Sequence, residues 1–166
     1  MDFGSSLIAT ALFLIVVGVV ILYLSIRIVR QYERMVVFRL GRTDPGLVRE
    51  PGLRFLIPFV DRPVKVDMRE NFTEVPSQTV ITRDNAPIDI DFLIYWKIVE
   101  PMDSLVNVGD FQGALQGIAT TTLRAVAGDM MLDDVLSKRD QVNDVLRVKL
   151  SEQTERWGGK VTTVEI

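Results

Sequence analysis

Residues 7–26, "LIATALFLIVVGVVILYLSI", hold no charge, no proline and no strongly polar group beyond Thr10 and Ser25. No other feature constrains the chain as much. At about 1.5 Å per residue, a helix over this stretch is roughly 30 Å long, the thickness of a bilayer's hydrocarbon core. A core helix of such length carries a polar stripe, and none is present. A signal peptide carries a basic start, a shorter apolar run and a small-residue cleavage site. Here the first charged side chain is Asp2, and the run ends in Tyr23, Leu24 and Ile26. An uncleaved membrane anchor is therefore expected, with Leu7, Ile15, Val20 and Leu24 among its lipid-facing residues. Arg27, Arg30 and Arg34 follow it, opposed only by Glu33. The positive-inside rule then expects a single-pass protein of the cell membrane with its folded part in the cytoplasm.

Composition removes several function classes. The chain of 166 residues has no cysteine and no histidine, and its formal net charge is -3. Disulfides, thiolate chemistry and palmitoylation are excluded, and the commonest general base and metal ligand are missing. No basic patch interleaved with aromatics marks a nucleic-acid partner.

After the anchor, Val29, Met35, Val36, Val37, Phe38 and Leu40 predict a strand, ended by Gly41 and the Asp44-Pro45-Gly46 turn. Leu53, Phe55, Leu56, Ile57 and Phe59 form an apolar patch interrupted by Pro58. This patch either contacts the lipid interface or packs as core or sheet edge. Val64, Val66 and Met68 alternate with Lys65, Asp67 and Arg69, which predicts a half-buried strand. A hairpin follows: Thr79–Thr82, a turn at residues 83–86, then Ile88–Val99. In its second strand Ile88, Ile90, Phe92, Ile94, Trp96 and Ile98 share one face.

The period then becomes helical. Phe111, Leu115, Ile118, Ala119, Thr122 and Val126 predict one helix, stopped near Gly128. Val142, Leu146 and Leu150 predict a second, with a capping-box-like start at Ser137–Asp140 and an end at Gly158-Gly159. "KVTTVEI" reads as a closing strand of a β–α–α–β unit.

Chemistry has few candidates. Asp84, Asp89 and Asp91 could bind a divalent cation or act as a hydrolase's carboxylates, but a solvated strand face neutralised by Arg83 and Lys97 is the favoured reading. Asp133 and Asp134 suit a helix start. Ser104, Ser137 and Ser151 lack a histidine, and no G-x-S-x-G, S-x-x-K or phosphate-loop pattern occurs. No catalytic residue, metal site or cofactor is expected.

Six ordered blocks carry a resemblance: "YERMVVFRLGR", "PGLRFLIPFVDRPVKVDMRE", "VITRDNAPIDIDFLIYWKI", "TTLRAVAG", "LSKRDQVNDVL" and "WGGKVTTVEI". Together they resemble the stomatin-like (slipin) branch of the stomatin/prohibitin/flotillin superfamily, which shares the SPFH or band 7 domain. The resemblance implies an α+β fold in two lobes, β-rich then β–α–α–β, behind one transmembrane helix. The implied organisation is an anchor at 1–26, a membrane-proximal lobe at 27–76 and a second lobe at 77–166. It also implies a non-catalytic scaffold that assembles into rings or cages on the bilayer, organises microdomains and regulates neighbouring membrane proteins or proteases. The alternative is a regulatory subunit or substrate of a membrane-bound serine protease. Arg139, Asp144, Arg147 and Glu155 on the second helix are the expected protomer contacts. Three departures stand out. No proline precedes Pro45, so a straight span replaces a hairpin anchor. Acyl anchoring has no cysteine. The chain stops at "VEI", where relatives continue into a strand and a coiled coil.

Overall fold

A computed structural model describes the backbone of residues 3–166 and the side chains from Thr10 onward. Asp2 and the side chain of Leu7 lie outside the described residues. The chain forms two compact units, residues 1–66 and 67–166. The boundary expected at 76–77 falls inside a continuous strand instead.

In the first unit, helix α1 (Phe3–Ser25) leads into β1 (Ile26–Val29). Then come β2 (Glu33–Arg39), a 3-10 turn (Pro45–Leu47), β3 (Val48–Arg49), β4 (Gly52–Phe55) and β5 (Asp61–Asp67). The stretch expected as one strand is two, because the chain reverses where the Glu33 amide donates to the Arg30 carbonyl at 3.0 Å. β1 pairs with β4 as a separate antiparallel ribbon, and β3-β2-β5 form a second sheet. Val29, Met35, Val37 and Leu56 make this unit's small core.

α1 is apolar all round. Every described side chain from Thr10 to Leu24 is exposed, and Leu12, Phe13 and Ile15 each stand above 60 %. Among the described residues no helix is long and apolar enough to cross a membrane, so the expected transmembrane span is not supported there.

The second unit is a two-layer α/β arrangement. Strands β6 (Asn71–Ile81), β7 (Pro87–Ile98) and β8 (Gly159–Glu165) form an antiparallel sheet in that order. Helices α2 (Pro101–Val106), α3 (Phe111–Asp129), α4 (Leu132–Ser137) and α5 (Arg139–Glu155) connect β7 to β8. Alternation places Ile90, Phe92, Ile94 and Ile98 inside, as the period-2 pattern predicts. Leu115, Ala119 and Leu123 of α3 and Val142, Leu146 and Leu150 of α5 pack onto that sheet face. β6 runs through Pro76 because its register with β7 shifts between Val75 and Gln78, and a bulge tolerates the missing amide donor.

The expected stop near Gly128 holds, since α3 ends at Asp129. One helix start departs from expectation. Ser137 starts no capping box: it closes α4, and its hydroxyl donates to the Asp133 carbonyl at 2.6 Å. No side chain caps α5. The α4 start is capped from afar, since Asp84 in the β6–β7 turn accepts from the Leu132 amide at 3.0 Å. The Thr82 hydroxyl donates to the same carboxylate at 2.6 Å. These two donors, Thr82 first, hold the Asp84 carboxyl below its ordinary range.

Candidate functional site

The ribbon that follows α1 has two unlike faces. Its register sets Ile26 opposite Phe55, Arg27 opposite Arg54, and Ile28 opposite Leu53. Residues directly opposite share a face, so Ile26, Ile28, Leu53 and Phe55 form one apolar side. Ile28, Leu53 and Phe55 are each more than half exposed. Arg27 and Arg54 lie on the other side.

Further apolar residues stand at two tips. Leu40-Gly41 is a two-residue hairpin turn closed by reciprocal bonds between Arg39 and Arg42 at 2.8 and 2.9 Å. Both turn residues have positive φ, 49° and 82°, which suits a primed turn. Leucine is unusual there and is 81 % exposed. Phe59 also has positive φ, 70°, and is 94 % exposed. The Leu40 amide donates to the Val60 carbonyl at 3.1 Å, so the tips are tied together. One loop pair thus carries two exposed apolar side chains at strained, positive-φ positions.

Of the five residues expected at the lipid interface, Leu53, Phe55, Ile57 and Phe59 are exposed. Leu56 is not: it is buried in the core cluster, and its amide donates to the Ser25 carbonyl at 2.8 Å. The strand alternation ends at Phe55, so Leu56 turns inward.

Asp61 holds the Phe59 loop. Its carboxylate, 2 % exposed, takes two bonds from Arg39 at 2.8 and 3.1 Å and one from the Ile57 amide at 3.0 Å. The Arg39 hydrogen bond, against opposing burial, keeps this carboxyl below the ordinary aspartate value of 3.8. A depressed carboxyl stabilises the fold above its unfolded value, and the contribution is lost as pH falls through the folded one. Asp61→Ala is expected to cost about 1 kcal/mol at neutral pH, because the Arg39 guanidinium and the Ile57 amide that lose their partner are about half exposed and can turn to water. Thermal melts of both proteins should show the gap narrowing as pH falls below 3.8.

Several of the candidate carboxylates and serines have structural partners. Asp89 accepts from the Thr79 hydroxyl at 2.6 Å, Asp84 caps α4, and Asp91 is exposed on the strand. The Ser104 hydroxyl donates to the Pro101 carbonyl at 2.8 Å. Among the described residues no group of three or more His, Cys, Asp or Glu could hold a metal ion.

The α5 back is charged and groove-lined. Arg139 and Glu155 are exposed, and Arg147 meets Asp144 one turn earlier at 3.3 Å. Arg147, Val148, Ser151 and Glu155 line an open groove of about 550 Å³ beside Val99 and Lys160. Val145 and Val148 are 42 % and 46 % exposed on this back. Thus Arg147 and Glu155 share one groove, Asp144 flanks it through Arg147, and Arg139 is not among the groove's lining.

A β-rich unit behind an all-apolar helix, joined to an α/β unit, defines an α+β protein with a candidate interaction surface on each unit. Residues 27–166 match the SPFH domain/Band 7 family. A stomatin homologue of Pyrococcus horikoshii is 40 % identical over 166 residues, covering 100 % of this chain and 61 % of that protein. Mouse stomatin is 35 % identical over 164 residues, 98 % of this chain and 58 % of its own length. Stomatin-1 of Caenorhabditis elegans is 39 % identical over 144 residues, 87 % and 43 % respectively. The chain belongs to the SPFH domain/Band 7 family as a stomatin-like member. It spans about three-fifths of the Pyrococcus and mouse relatives.

Proposed function

We propose that the chain is a membrane-anchored, non-catalytic scaffold that assembles laterally with copies of itself. Such an assembly organises patches of membrane and regulates neighbouring membrane proteins or proteases. α1 spans the bilayer once, and the arginines after it favour a cytoplasmic domain. The carrying observation is the run of exposed apolar side chains along α1, continuous with the exposed apolar face of the β1–β4 ribbon. In water such a surface is far larger than a monomer ordinarily leaves uncovered. Anchoring confines protomers to two dimensions, which raises their effective concentration and lets modest contacts along the α5 back build a ring or cage. The lack of histidine, with Asp84, Asp89, Ser104 and Ser137 held in structural bonds, supports a role without catalysis.

The native chain is expected in the membrane pellet after an alkaline carbonate wash. In mild detergent it is expected to run well above monomer size. Release into the supernatant overturns the anchor, and a monodisperse monomer at high concentration overturns the assembly.

A further inference from the structure

We propose that the β1–β4 ribbon is a binding site for anionic phospholipid, with Arg27 and Arg54 holding the headgroup phosphate and the opposite apolar face seated against acyl chains. This rests on the reading of α1 as a membrane anchor.

The first observation is the Arg27–Arg54 pair. The register sets the two residues directly opposite on neighbouring strands, with Cβ atoms about 5 Å apart. Like charges in that position repel unless an anion lies between them. The unit supplies none. Its ion pairs are Arg39–Asp61 and Lys65–Glu33, and among the described residues neither Arg27 nor Arg54 lies within ion-pair reach of a carboxylate. Arg54 donates from Nε to the Glu50 backbone carbonyl at 3.0 Å, which fixes the guanidinium and leaves its terminal nitrogens available to a ligand. Two guanidiniums at this spacing suit the oxygens of one phosphate.

The second observation is depth. Arg27 lies two residues beyond the end of α1, about 7 Å at strand rise. That is close to the thickness of the headgroup zone on one side of a bilayer. The pairing brings Arg54 to the same level. The apolar face on the opposite side of the ribbon is the complement of the acyl boundary, and the long arginine side chains can reach along the ribbon edge to phosphates at that level.

The third observation is charge asymmetry. Residues 1–66 carry nine Lys and Arg against five Asp and Glu, while residues 67–166 carry ten against seventeen. An anionic surface attracts the first unit and repels the second, which favours a lipid surface over an acidic protein as the source of the phosphate.

The test uses the full-length chain in neutral maltoside micelles. Phosphatidylglycerol, phosphatidylcholine or inorganic phosphate is titrated in, and retained ligand is read by native mass spectrometry. Phosphatidylglycerol is expected to be held in preference to phosphatidylcholine. Arg27→Gln with Arg54→Gln is expected to weaken that retention about 20-fold, and Arg27→Lys with Arg54→Lys to keep most of it. Equal retention of the two lipids by the native chain overturns the proposal, and so does unchanged retention in the glutamine variant. Inorganic phosphate bound as well as the lipid overturns the lipid assignment. A chain that resists carbonate yet shows no preference for phosphatidylglycerol sinks this proposal alone; a chain that carbonate releases sinks the anchor reading beneath it.

Discussion

Gly158→Ala is expected to lower the thermal midpoint of the second unit by about 15–20 °C. Gly158 has φ +67°, where a Cβ costs about 1–2 kcal/mol. That Cβ would also overlap the Glu100 carbonyl oxygen, a backbone atom with no rotamer to swing away. The overlap adds about 1–3 kcal/mol. Nor is Glu100 free to retreat. The Gly158 carbonyl accepts from the Val99 and Glu100 amides at 2.8 and 2.9 Å, so the two segments are locked together. The next residue extends the constraint: a Cβ on Gly159 would enter the Phe111 ring, which packs on Trp96 at 4.6 Å between centroids. Together roughly 3 kcal/mol is a large part of a domain's usual 5–15 kcal/mol. Gly117→Ala is the control. It sits within α3 with nothing inside 4 Å of its added Cβ, and should stabilise by about 0.5–1 kcal/mol. Melts followed by the fluorescence of Trp96 and Trp157 would separate the two. A Gly158 variant melting with the native protein would mean the Glu100 contact yields more easily than its bonds suggest.

The turn glycines were visible in the sequence as a helix end; the locking partner at Glu100 was not, because it lies far away along the chain. The same division runs through the fold. Elements governed by their own period were legible: the alternation from Ile88 to Ile98 puts Ile90, Phe92, Ile94 and Ile98 in the core with Ile88 and Trp96 partly buried beside it, and the four-residue spacing of Val142, Leu146 and Leu150 matches the buried set. Elements held by distant partners were not. α4 is too short to show a period, and its N-terminal donor is satisfied by Asp84, 48 residues earlier. Ser137 was misplaced for that reason, as the sequence showed a cap residue but not the helix it closes. α2 had a readable signal, Pro101 in its first turn after Glu100, and a six-residue helix built on it was missed. The boundary implied at 76–77 lies beside Pro76, whose missing amide the bulge in β6 accommodates.

The candidate site divides the same way. The exposed apolar run of α1 could be read directly from composition. The ribbon could not, because Ile26 read as the end of the apolar run and Leu53 and Phe55 as part of a separate patch. Only the register joins them, and only the register brings Arg27 to Arg54. Leu56 shows the limit of reading a short apolar run: adjacent Phe55 and Leu56 are equally oily, yet one is 65 % exposed and the other 7 %.

Placing aspartates at Ile15 and Val20 together is expected to move the chain from membrane pellet to supernatant. In water the exchange should be nearly neutral, since the two side chains are 63 % and 51 % exposed and pack against nothing that a shorter residue would vacate. In lipid it is costly. An aspartate at a helix centre opposes insertion by about 2.5–3.5 kcal/mol, and Ile15 lies near the middle of α1. Val20 is nearer the end and contributes less, so the pair opposes insertion by roughly 5 kcal/mol, a factor of several thousand in partition. The domain's melting temperature should stay within a degree or two of native, because residues 27–166 contain both core clusters. That pairing of results is what an anchor demands and what a packed helix forbids: burying α1 against protein would make the same aspartates unfold the molecule. Ile15→Leu with Val20→Leu keeps the oily surface and should leave the chain in the pellet. If the aspartate variant remains with the membrane after an alkaline carbonate wash, α1 is not what holds the protein there, and the exposed ribbon and loop tips would have to carry the attachment without it.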